Sequence, residues 1–104
     1  MAQFDVFRNL NPETNQEIPY LLDVQVDLLE DLHTRVVVPL YLSSTIPKPA
    51  KHLNPAFPIE NNSVVMSTAE LAGIPTRILG EKVLSLIDNR DEIIGALDFL
   101  ITGF

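Results

Sequence analysis

A chain of 104 residues, 46% hydrophobic and 20% charged, can bury one modest core and is too short for two independent ones, so a single domain over residues 1–104 is expected. The absence of cysteine excludes a disulfide scaffold and thiolate metal sites, and a reducing cytoplasm is the expected setting. Net charge is −7, with six carboxylates and no Lys or Arg between Asn9 and Thr34, which disfavours direct nucleic-acid binding and favours a protein partner.

In chain order, residues 3–8 alternate, with Phe4 and Val6 on one face and Gln3, Asp5 and Phe7 on the other, and read as a strand. Residues 9–19, with Asn11-Pro12 and Pro19, read as an exposed loop. Residues 20–26 and 35–41 are rich in branched and aromatic side chains and predict two strands joined by a turn at 31–34. Pro39 cannot donate to a ladder, so pairing is expected to bend or end there.

Four of the eight prolines (Pro47, Pro49, Pro55, Pro58) fall between residues 42 and 58, which predicts an extended, stiff crossing loop. Residues 57–59 and 63–66 flank Glu60-Asn61-Asn62 and predict a hairpin, its Asn pair supplying the positive φ of the turn. Ser67 to Glu70 predict one helical turn, and residues 75–79 a short strand ending at Gly80. The last segment predicts a helix capped by Asp88, with Asp91 and Glu92 at its positive end and a core stripe of Ile93, Leu97, Leu100 and Phe104. Short strands followed by a terminal helix define an α+β fold, mainly β, with a strongly bent sheet or small barrel.

Few residues offer chemistry. His33 and His52 lack partners at triad or zinc spacing and read as solvated loop residues. Asp23, Asp27, Glu30 and Asp31 lack the glycine-punctuated spacing of a calcium loop and read as a solvated acidic edge. No phosphate-cradling glycine motif and no nucleophile elbow occurs, so neither a cofactor nor catalysis is expected, and no apolar run approaches the length that spans a membrane. Two features stand out. Leu28 and Leu29 are adjacent large apolar residues in a turn, either covering the core edge or serving a contact. Phe99 projects away from the helix stripe, as does Gly95, and calls for a cover such as the second copy of a symmetric dimer.

These residues carry a resemblance over nearly the whole chain. Gln3-Phe4-x-Val6, Asp23-Val24-Gln25-x-Asp27 with Leu28-Leu29 behind it, Arg35-x-x-x-Pro39-Leu40, Met66-Ser67-Thr68, Ile74-Pro75, Leu79-Gly80-Glu81 and a penultimate Gly103 are similar to the CcdB toxins of bacterial toxin–antitoxin modules. The resemblance implies a homodimer of SH3-like barrels of antiparallel strands, each with a small second sheet and a C-terminal helix at the dimer face, where Phe99 falls. It further implies a protein that binds the A subunit of DNA gyrase, traps the gyrase–DNA cleavage complex and is neutralised by a CcdA-like antitoxin. The implied gyrase-binding residues are Leu28, Leu29, Asp98, Ile101, Thr102, Gly103 and Phe104. Thr102 and Asp98 depart from the family pattern, which has tryptophan and asparagine there, so a flat aromatic able to stack on an arginine is missing.

Two other readings are distinguishable. A MazF-like endoribonuclease, similar in fold, needs an arginine close to a hydroxyl, for which Arg35 or Arg77 beside Thr34 or Thr76 are the available residues. A non-toxic homologue that only binds antitoxin has the same sequence features as an active toxin.

Overall fold

The computed structural model describes residues 1–103. Strands β1 (Asp5–Asn9), β2 (Tyr20–Asp23) and β3 (Thr34–Leu42) run back and forth, followed by β4 (Ala56–Ile59), β5 (Asn62–Met66), β6 (Ala72–Pro75), β7 (Leu79–Ser85) and the helix α1 (Arg90–Thr102). Every pairing is antiparallel, in the order β4-β5-β3-β2-β1-β7, with β6 added on β3. The sheet curls into a half-barrel with an additional short strand and one C-terminal helix, which is the mainly β, α+β class expected from the sequence.

The long strand β3 divides the sheet at Pro39. Residues 34–37 pair with β6, and residues 40–42 pair with β5. The carbonyl of Pro39 accepts the Ser67 N–H at 3.0 Å on that same edge, so the missing proline N–H faces the gap between β6 and β5. The expected end of pairing at Pro39 is therefore present, and it creates the branch from which the small β6 arm departs.

The β4–β5 hairpin forms as expected, with Ile59 opposite Asn62, and Pro58 is accommodated because β4 is an edge strand. Its positive φ belongs to Glu60 (φ 54°) and not to the Asn pair. The reason is a clasp around the Glu60 carboxylate: Arg8 donates to it at 2.8 and 3.3 Å, and the Tyr20 hydroxyl donates at 2.5 Å. The Arg8 and Tyr20 bonds lower the Glu60 pKa, while burial first and then Glu60 raise that of Tyr20. Glu60 thus ties the hairpin tip to β1 and β2, closing the curl.

Residues 43–55 depart from the expected extended connection. The prolines do exclude helix and strand, but the chain turns at 51–54, where His52 takes φ 68°. Asn54 holds that turn, accepting the Ala50 N–H at 2.9 Å and donating to the Met66 carbonyl at 3.0 Å. Thr68, buried in the expected short helical turn at Thr68–Glu70, anchors the same loop through the Leu53 carbonyl.

The expected strand over 75–79 is displaced in both directions: 72–75 form β6, 76–78 form a 3-10 turn, and 79–85 form β7. Gly80 does not end a strand. A Cβ there would lie 2.7 Å from the Arg8 carbonyl oxygen, so the glycine permits close approach of β7 to β1 where their register shifts. Gly80→Ala is expected to destabilise the fold by about 1–3 kcal/mol, read as a lowered denaturation midpoint, because backbone on both strands must move.

Helix α1 also differs in detail. Asp88 lies in a 3-10 turn (Ile87–Asn89), and Asn89 occupies the cap position without a side-chain cap bond. Asp91 and Glu92 do fill the first turn. The helix buries Ile93 and Ala96 fully and Ile94, Leu97 and Leu100 in part, so the buried face runs through Ala96, which the expected stripe did not include. Ile93 and Ala96 join Phe4, Val6, Tyr20, Leu22, Leu40, Phe57 and Met66 in one core, with Ile94 and Leu97 packed against it. Among the described residues no helix is long and apolar enough to cross a membrane.

Candidate functional site

After β2 the chain leaves the sheet as a 3-10 turn at Asp27–Leu29. Leu28 is 91% exposed and Leu29 47%, so neither leucine covers the core edge. Leu29 N–H donates to the Val26 carbonyl at 3.1 Å, and Leu32 N–H donates to the Leu29 carbonyl at 3.2 Å. Val26, Leu29 and Leu32 are each about half exposed, and Leu28 is almost wholly so. Asp27, Glu30 and Asp31 are exposed around them, an apolar projection in an acidic frame.

Beneath this turn lies a buried polar network. Continuing the β2–β3 register places Gln25 opposite Arg35, and Asp23 diagonal to it. Asp23 and Arg35 are 0% and 1% exposed and form an ion pair at 2.6 Å, with a second bond from Arg35 Nε at 2.8 Å. Removal from water pushes the Asp23 carboxyl above the ordinary range, opposed by Arg35 and by the Gln25 N–H that donates to it at 2.9 Å. Asp23 is therefore no part of the solvated acidic edge expected for it; it is withdrawn because it has a cation of its own. The sequence holds only half a signal for this pairing, an arginine that opens a run of branched apolar residues and an acid in the preceding strand, and the register is what joins them.

At the other candidate surface, Asp98, Ile101, Thr102 and Gly103 are all exposed at the end of α1, Ile101 at 74%. The helix ends with Gly103 at φ 81°, its N–H donating to the Phe99 carbonyl at 3.0 Å, and the Thr102 hydroxyl donates to the Asp98 carbonyl at 2.7 Å. The glycine is required by that left-handed cap. Phe104, part of the expected stripe and tail, lies outside the described residues. Phe99 is 37% exposed and meets His52 edge-on at 6.2 Å between ring centres. His52 is an exposed loop residue as expected, yet it covers one side of Phe99. The two flank a cavity of about 580 Å³ lined also by Gly95 and Gly103.

The structure engages two of the residues named for RNA cleavage, Arg35 and Thr76, in other bonds. Arg35 is committed to Asp23 and withdrawn from solvent. Arg77, Thr34 and Thr76 do line one cavity of about 590 Å³ with His33, but the Thr76 hydroxyl donates to the His33 carbonyl at 3.0 Å.

The family model described as "CcdB protein" matches residues 3–103, and the chain belongs to the CcdB family. Members of this family are the toxins of toxin–antitoxin modules, and an antitoxin is the partner the family implies.

Proposed function

We propose that this chain, as one domain over residues 1–104, is a toxin that binds the A subunit of DNA gyrase and traps the gyrase–DNA cleavage complex in the cytoplasm. It acts by binding and needs no cofactor or catalytic group of its own. The contact residues are Leu28 and Leu29 on the turn and Asp98, Ile101, Thr102, Gly103 and Phe104 at the helix end. The carrying observation, beside the family match, is Leu28: a leucine 91% exposed on a turn held from beneath by buried polar groups is not packed into the core of the described residues. Its acidic frame favours a partner surface with a basic rim. A second copy packed on the Phe99 face makes the homodimer, and a CcdA-like antitoxin neutralises it.

Deletion of residues 101–104 tests the tail. Growth arrest on expression of the full chain, rescued by a cognate antitoxin, is expected to disappear on deletion, while the stability of the protein changes by no more than about 1 kcal/mol, since Ile101, Thr102 and Gly103 are exposed. Loss of folding would place the tail in the core instead. Absence of growth arrest from the full chain, with antitoxin binding retained, identifies the non-toxic homologue. The endoribonuclease reading retains only the Arg77 cavity; RNA cleavage by the purified chain that Arg77→Ala abolishes would promote it.

A further inference from the structure

We infer that Gln25 is a positioning residue for the leucine turn: from beneath, its side chain braces the Leu29 carbonyl and so holds Leu28 and Leu29 in the presented position. The inference rests on the reading of that turn as the gyrase contact. Gln25 is 6% exposed, and each of its four polar atoms is engaged. Nε2 donates to the Leu29 carbonyl at 2.9 Å, and Oε1 accepts the Val36 N–H of β3 at 3.1 Å. The Gln25 N–H donates to Asp23 Oδ1 at 2.9 Å, and the Gln25 carbonyl accepts from Arg35 Nη2 at 3.4 Å. The side chain therefore links the long strand β3 to the carbonyl that also closes the Leu29–Leu32 turn, while the backbone of the same residue is tied to the buried ion pair.

A brace is needed because the turn has few holds of its own. Three-residue helical turns have poor hydrogen-bond geometry, and two exposed leucines gain by folding back onto the protein surface. The front of the turn is held through the Asp27 carboxylate, which accepts the Gln3 N–H at 2.7 Å. No apolar side chain of similar volume can replace Gln25, since none both accepts from Val36 and donates to Leu29.

The test compares wild type, Gln25→Met and Leu28→Asp in two measurements: amide hydrogen exchange of the folded protein, and binding to the purified gyrase A subunit. Gln25→Met is expected to speed exchange at Leu29, Glu30 and Leu32 while Val38 and Leu40 of β3 stay protected, and to weaken gyrase binding by about 10- to 100-fold through lost preorganisation. Leu28→Asp is expected to lose binding with exchange in the turn unchanged. Unchanged exchange in the turn of Gln25→Met overturns the brace, and faster exchange with undiminished gyrase binding overturns its positioning role. If Gln25→Met also deprotects β3, the residue is merely a fold element and the inference fails. If wild type does not bind gyrase, the proposed function fails, and the exchange comparison still decides whether Gln25 braces the turn.

Discussion

Arg35→Ala is expected to destabilise the protein by about 3–5 kcal/mol, because it leaves the Asp23 carboxylate buried without its cation. Asp23 is fully buried, and the group left to stabilise its carboxylate is the Gln25 N–H, which donates to it at 2.9 Å. For a domain of this size each kcal/mol lowers the melting temperature by about 4–8 °C, so both thermal and denaturant unfolding followed by circular dichroism will register the change. The double replacement Arg35→Met with Asp23→Leu is expected to recover much of the loss, since it removes both charges and keeps apolar volume. A single-variant loss below about 1 kcal/mol would mean that the pair is solvated in solution, contrary to its burial.

Leu28→Asp has the opposite profile. With the side chain almost wholly in water, the substitution is expected to leave stability within about 0.5 kcal/mol. Burial of a leucine at an interface contributes about 1.5–3 kcal/mol, and each 1.4 kcal/mol is tenfold in affinity, so gyrase binding should weaken by about 100-fold or more once the carboxylate's own desolvation is added. Titration of the purified protein against the gyrase A subunit measures this. Retained affinity would remove Leu28 from the contact.

The same contrast between a buried charge and an exposed leucine shows what the sequence can reveal. Strands β1 to β3 and the β4–β5 hairpin are legible because alternation and branched residues report burial on one face, and Pro39 marks where the edge of β3 changes partner. Strand β7 is not legible. Gly80 looks like a terminator when read locally, whereas its role is set by Arg8, a residue far away in the chain. Glu60 is an unremarkable turn residue in the sequence because the Arg8 and Tyr20 bonds that hold its conformation are likewise long-range. Asp23 looks like its acidic neighbours for the same reason: only the strand register reveals Arg35 beside it. Leu28 and Leu29 are conspicuous as an apolar pair among acids, but their exposure and the Gln25 brace emerge only in three dimensions.

Trapping of DNA by gyrase bears most directly on the proposed function. Purified protein incubated with gyrase, ATP and supercoiled plasmid, then treated with detergent and protease, is expected to yield linear DNA that Leu28→Asp and deletion of residues 101–104 each abolish. Plasmid that is never linearised by the wild-type protein, at concentrations where it is folded, would contradict the account.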